Sequence, residues 1–138
     1  MKIIYPQYNG EIAITYELEG WSMDDLAKLT TPFDTPYLIV EDIELPEDWS
    51  TSSAWEADFS NPDGIGMGPQ RWFIAQAESK ISAISALPEP EQPESVSDED
   101  HASVVARFNE AREGMKAQQQ AIIDQMKAEV LQIEGVQL

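Results

Sequence analysis

Few places in this chain hold residues that could do chemistry. The single histidine, His101, follows Ser97-Asp98-Glu99-Asp100, and a carboxylate beside an imidazole can orient a general base. These acids fall where a helix would begin after a Pro/Glu-rich stretch, and no walls there would exclude water from a reaction. Gly64-Ile65-Gly66-Met67-Gly68 is glycine-rich like the loops that cradle phosphate. It lacks their Lys-Ser/Thr pair, no apolar parallel strand precedes it, and acids surround it, so it reads as a flexible connector. Asp58, Asn61 and Asp63 suggest a calcium loop, but Phe59 stands where the first ligand belongs. Asp24-Asp25 and Glu41-Asp42 are neighbours in sequence, and adjacent side chains diverge on a helix or strand. With no cysteine and one histidine, a zinc site has too few ligands. The residues predict a protein that is not an enzyme, with no catalytic, cofactor-binding or metal-ligating set.

The elements that would position such residues are organised around Ser53 to Gly66. Trp55 and Phe59 are four apart, so a helical turn would put both rings on one face. Asn61-Pro62-Asp63-Gly64 would then stop it, because Pro lacks the N–H and pushes the preceding residue to an extended conformation. Ahead of this joint, Lys2-Ile3-Ile4-Tyr5 and Glu11-Ile12-Ala13-Ile14-Thr15-Tyr16 are β-branched and aromatic runs separated by Pro6-Gln7-Tyr8-Asn9-Gly10, the pattern of a hairpin. Ser22, three residues before Asp25, predicts a helix N-cap; Leu26 and Leu29 share a face, and Thr31-Pro32 ends the helix. Pro36 to Val40 is a short apolar run that fits a strand covered on both faces. Trp21, Trp49 and Trp55 are expected to supply much of the core of this small head.

Beyond the joint the period becomes helical. Phe73, Ala77, Ile81, Ile84 and Leu87 predict an amphipathic helix from Pro69 to Leu87. Pro88-Glu89-Pro90-Glu91-Gln92-Pro93-Glu94 reads as a mobile, extended linker. Helix resumes at Ser97 with three acids in its first turn, and Val104, Phe108, Ala111, Met115, Ile122, Met126, Val130 and Ile133 form an apolar seam. If continuous to Glu134 it would be about 55 Å long. Such a helix must fold back on its predecessor, pair with another copy, or await a partner. A partner-dependent or oligomeric helix is the expectation, with Val104, Phe108, Met115, Ile122, Met126 and Val130 as partner-binding residues.

The predicted class is α+β: a small antiparallel sheet with one short helix (residues 1–66), an amphipathic helix (67–87), a linker (88–97) and a long C-terminal helix (98–138). Net charge is −18, from 26 acids against 8 bases, and through Gln70 only Lys2 and Lys28 oppose the acids. That field disfavours direct binding to nucleic acid or to anionic membranes and favours basic partners. No apolar run reaches the length of a signal peptide or a bilayer span, and the absence of cysteine fits a reducing cytoplasm.

At Met1-Lys2-Ile3-Ile4-Tyr5-Pro6, Thr35-Pro36-Tyr37-Leu38-Ile39-Val40-Glu41-Asp42, and Ala54-Trp55-Glu56-Ala57-Asp58-Phe59 through Gly66, the chain resembles small proteins encoded by tailed bacteriophages and prophages, often near tail genes. The likeness covers about the first 66 residues and brings no catalytic residues with it. A small head followed by helices with Trp72 near their start also resembles tail-fibre assembly chaperones. The resemblance implies a viral protein in the cytoplasm of the infected bacterium, acting on a tail or tail-fibre component as an assembly chaperone or accessory factor. Two alternatives stay open: an acidic nucleic-acid mimic that inhibits a host defence protein, and a structural protein of the virion tail.

Overall fold

The computed structural model describes residues 1–41 and 57–138. Its elements are β1 (Lys2–Pro6), β2 (Ile12–Tyr16), α1 (Met23–Thr30), β3 (Pro36–Val40), β4 (Gly64–Ile65), α2 (Gly68–Ser85) and α3 (Asp98–Glu134). The protein is α+β, with an antiparallel sheet in the order β2-β1-β3-β4. It divides into two compact units, residues 1–72 and 73–138, with the boundary inside α2.

The first unit follows from its strand pattern. β1 and β2 are joined at Asn9-Gly10, where Gly10 takes a positive φ of 88° that a side chain would disfavour. The Asn9 side chain accepts a hydrogen bond from the Glu11 N–H, closing the turn. Ile3 lies opposite Ile39 and Ile4 opposite both Ile14 and Leu38, so alternation sends the two isoleucines to opposite faces. Ile3 packs with Leu26 and Ala27 of α1 and with Tyr37, flanked by Tyr5, Trp21, Met23 and Ile39. Ile4, on the other face, is buried as well. α1 is capped as expected: the Ser22 side chain accepts from the Asp25 N–H, and Asp24 and Asp25 lie in the first turn. Trp21 also stacks at a tilt on Trp72, 5.3 Å between ring centres, whereas Trp49 and Trp55 lie outside the described residues.

The glycine-rich stretch is no flexible connector. Gly64 and Ile65 pair with Tyr37 and Pro36 as an edge strand, and a Cβ at Gly64 would collide with the Tyr37 ring. Gly66 is held harder still, its N–H donating to the Thr35 carbonyl and its own carbonyl accepting from the Asp34 N–H. A side chain there would run into the backbone carbonyls of Thr31 and Pro32. Met67 and Gly68 donate in turn to the carbonyls of Lys28 and Thr31. This stretch is glycine-rich because the backbone must lie against α1 and the Tyr37 ring.

The second unit is a helical hairpin. Ile74 and Ala77 of α2 pack on Ile123 of α3, with Ile81 and Met126 beside them. Further along, the Arg112 guanidinium donates to the Leu87 carbonyl at 3.4 Å, so the two helices run antiparallel. The connecting segment is fastened at its end by the Gln92 side-chain amide, which donates to the Val96 carbonyl and to the Asp98 carboxylate. α3 begins on Ser97, whose side chain accepts from the Asp100 N–H, and ends at Gly135 in the left-handed conformation.

Candidate functional site

Side chains that could carry chemistry are engaged elsewhere or stand apart. Asp63 accepts a hydrogen bond from the Ile39 N–H at 2.7 Å while its own N–H donates to the Tyr37 carbonyl; it clamps the edge of the sheet. Asp58 caps its own turn by accepting from the Ser60 N–H, and hydrogen bonding from the Ser60 side chain, and after it from that N–H, holds its carboxyl below the usual range. His101 lies in the first turn of α3, its N–H donating to the Ser97 carbonyl. Among the described residues no three histidine or acidic side chains are grouped as a metal site would require.

The most connected polar group is one that the residues did not advertise. Tyr37, fully buried, donates its hydroxyl to the Asp24 carboxylate at 3.0 Å, and Lys28 pairs with the same carboxylate at 2.9 Å. Burial, reinforced by the adjacent Asp24, pushes the Tyr37 phenol up to about 12. The hydrogen bond from Lys28, and after it the one from Tyr37, draws the Asp24 carboxyl below its ordinary value. Its parts join α1 to the sheet, and the phenol is buried beneath them, so the set is a structural tie.

Some of what the second unit presents to solvent is apolar and periodic. On α3, Val105, Asn109, Arg112, Lys116, Gln119, Ile123, Met126 and Val130 are half-buried or buried, recurring at alternating steps of four and three. This is the seam of a helix with a partner along one side. A second stripe lies about one residue round the helix: Val104 is 46% exposed, Met115 40% and Ile122 38%. Phe108 belongs to it and is half-covered by the Arg112 guanidinium, 5.2 Å above its ring. Of the six residues expected to bind a partner, Val104, Phe108, Met115 and Ile122 thus lie on this outward stripe. Met126, half-buried, packs in the hairpin and Val130 is 2% exposed, so both lie on the inward side instead. α2 shows the same offset, with Ile74 rather than Phe73 in the core.

No helix among the described residues is long and apolar enough to cross a membrane. No protein-family model, curated protein or solved structure matches the chain.

Proposed function

We propose that the protein is a non-enzymatic binding protein whose outward α3 stripe covers an apolar surface of another protein. In the setting that the phage resemblance of the head implies, that protein is a tail or tail-fibre component. The chain then acts as an assembly chaperone or accessory factor in the cytoplasm of the infected bacterium. One observation carries the reading: Val104, Met115 and Ile122 stay exposed at helical period although α3 already has a partner in α2. Scattered exposed apolar side chains are ordinary, whereas an aligned row marks an interaction surface. The acidic remainder keeps the complex in solution while the stripe is occupied.

Co-expression with the tail-fibre subunit of the phage that carries the gene tests this. The wild-type chain should keep the subunit soluble, and Met115→Glu or Ile122→Glu should let it precipitate while the variant itself stays folded. Ala106→Glu, an exposed change away from the stripe, should behave as wild type. A subunit equally soluble with all three variants removes α3 as the binding element.

A further inference from the structure

We propose that the head carries a binding site of its own, independent of the α3 stripe: a groove between the β1–β2 turn and the turn after α1 that takes a proline-rich, basic segment of another protein in the polyproline II conformation.

The groove, of about 330 Å³, is lined by Tyr5, Pro6, Gln7 and Tyr8 on one wall and by Pro32 and Thr35 on the other. Both walls are tied through the backbone. The Gln7 N–H donates to the Glu11 carbonyl at 2.7 Å and the Gly10 N–H to the Gln7 carbonyl at 3.0 Å; across the groove the Thr35 N–H reaches the Pro32 carbonyl at 3.2 Å and the Asp34 N–H the Gly66 carbonyl at 3.0 Å. The groove is thus formed before anything enters it, and little ordering is left for binding to supply. Tyr8 stands alone in its turn with the side chain wholly exposed, whereas Tyr5 is half-buried against the core around Ile3. An exposed aromatic ring beside a half-buried one makes the kind of wall on which proline rings stack.

The polar groups at the groove select the conformation. Among the described residues, the Tyr5 and Tyr8 hydroxyls and the Gln7 side-chain amide make no hydrogen bond within the protein, so the lining offers donors. A polyproline II segment brings free carbonyls, because this helix makes no internal hydrogen bonds, and its prolines bring no N–H that needs an acceptor. A β-strand would bring N–H groups and leave several of them unmet against rings and prolines.

Charge selects what flanks the prolines. Glu11, bonded to Gln7, and Asp34, next to Thr35, are exposed, and among the described residues neither carboxylate is paired. The bases of the first unit are held elsewhere, Lys28 by Asp24 and Lys2 and Arg71 over the Tyr16 and Phe33 rings, and none of them lines the groove. A lysine or arginine beside the prolines therefore meets carboxylates with no competing partner. The chain's own Pro88-Glu89-Pro90-Glu91-Gln92-Pro93-Glu94 run has the prolines and the wrong charge.

The test adds the full chain to a fluorescently labelled polyproline peptide ending in arginines and follows its anisotropy. Saturable binding that weakens with salt is the expected result. Tyr8→Ala, at an exposed turn position outside the core, should weaken it by roughly tenfold, as loss of an aromatic anchor does. Tyr5→Phe, which keeps the ring and removes the hydroxyl, should weaken it by a smaller factor. Glu11→Gln should weaken the arginine-ended peptide and leave plain polyproline unaffected. Met115→Glu on α3 should leave the titration as in the wild type. An absence of saturable binding overturns the site, and equal binding of a peptide with glycine in place of proline overturns it too, since charge alone would then be at work. Affinity indifferent to Tyr8→Ala, or lost in Met115→Glu, puts the peptide somewhere other than this groove. Tighter binding of a glutamate-ended polyproline overturns the basic flank.

Discussion

The two units spend their apolar residues differently. In the first, Ile3, Leu26, Ala27 and Tyr37 converge from three elements on one core, and its exposed apolar side chains, such as Tyr8, Leu18 and Phe33, sit singly at turns and ends. In the second, the buried apolar residues are Ile74, Ala77, Ile123 and Val130, and the surplus lines the outside of α3 in a row. A head built this way is specified by its own contacts; a hairpin built this way leaves an apolar row on its outer side. The largest expected effect follows from the denser core. Leu26→Ala should cost roughly 2–5 kcal/mol, the range for emptying a well-packed aliphatic site, read as a loss of Trp fluorescence stability in denaturant. A cost below about 2 kcal/mol would mean that the head core is no better packed than the hairpin's.

Within the hairpin, adjacent isoleucines sharpen the comparison. Ile123 is 3% exposed and packs on α2, whereas Ile122 beside it faces out. Ile123→Ala should destabilise by about 2 kcal/mol, near the low end for such truncations because few buried neighbours surround it. Ile122→Ala should stay within about 0.5 kcal/mol. Equal costs would show that the inward and outward stripes are not distinct.

That pair also shows what was legible in the sequence. Local chemistry could be read directly: Ser22 and Ser97 cap their helices as their spacing with Asp25 and Asp100 implies, and the hairpin turn falls at Asn9-Gly10. Ala77, Ile81, Met126 and Val130 fall inward as their spacing implies, but elsewhere the face came out one residue round, because Phe73-Ile74 and Ile122-Ile123 are both apolar doublets and a 3.6-residue period fits either member. The choice is made by what lies across the helix, and part of the inward seam is Arg112 and Lys116, whose long aliphatic stems half-bury while their charged ends stay reachable. A reading that follows apolar residues alone passes over such positions. The edge strand Gly64–Ile65 was hidden for another reason. Its glycines are dictated by the Tyr37 ring and by the carbonyls of Thr31 and Pro32, which are distant in sequence and leave no local pattern. The outward stripe could be named as residues but not as a face.

The tie between α1 and the sheet gives a prediction with a pH signature found only in the head. The folded Tyr37 phenol titrates near 12 against about 10 in the unfolded chain, so the fold favours its neutral form. Its contribution is fully present below pH 10 and is lost as pH rises towards 12. Tyr37→Phe should cost about 1.5 kcal/mol at pH 7, the net worth of a hydrogen bond to a charged acceptor at its lower end. It should also flatten the fall in head stability between pH 10 and 12, while the helical signal of the hairpin follows the same course in both proteins.

The smallest effect tests whether that tie depends on the buried phenol or on the exposed ion pair. Lys28 and Asp24 stand one helical turn apart with side chains 39% and 58% exposed, and an exposed pair at this spacing contributes about 0.3–0.5 kcal/mol, less in salt. Lys28→Ala should therefore cost no more than about 0.5 kcal/mol, because the Lys28 carbonyl that receives the Met67 N–H belongs to the backbone and survives the change. Asp24→Ala removes the same pair and also leaves the Tyr37 hydroxyl without its acceptor, so it should cost about 1 kcal/mol more, as an unmet buried donor does. Repeating Asp24→Ala in the Tyr37→Phe protein isolates the difference, since only the ion pair is then left to lose. If Lys28→Ala costs as much as Asp24→Ala in the native background, the surface pair holds α1 to the sheet. The head would then be no more internally specified than the hairpin it is contrasted with.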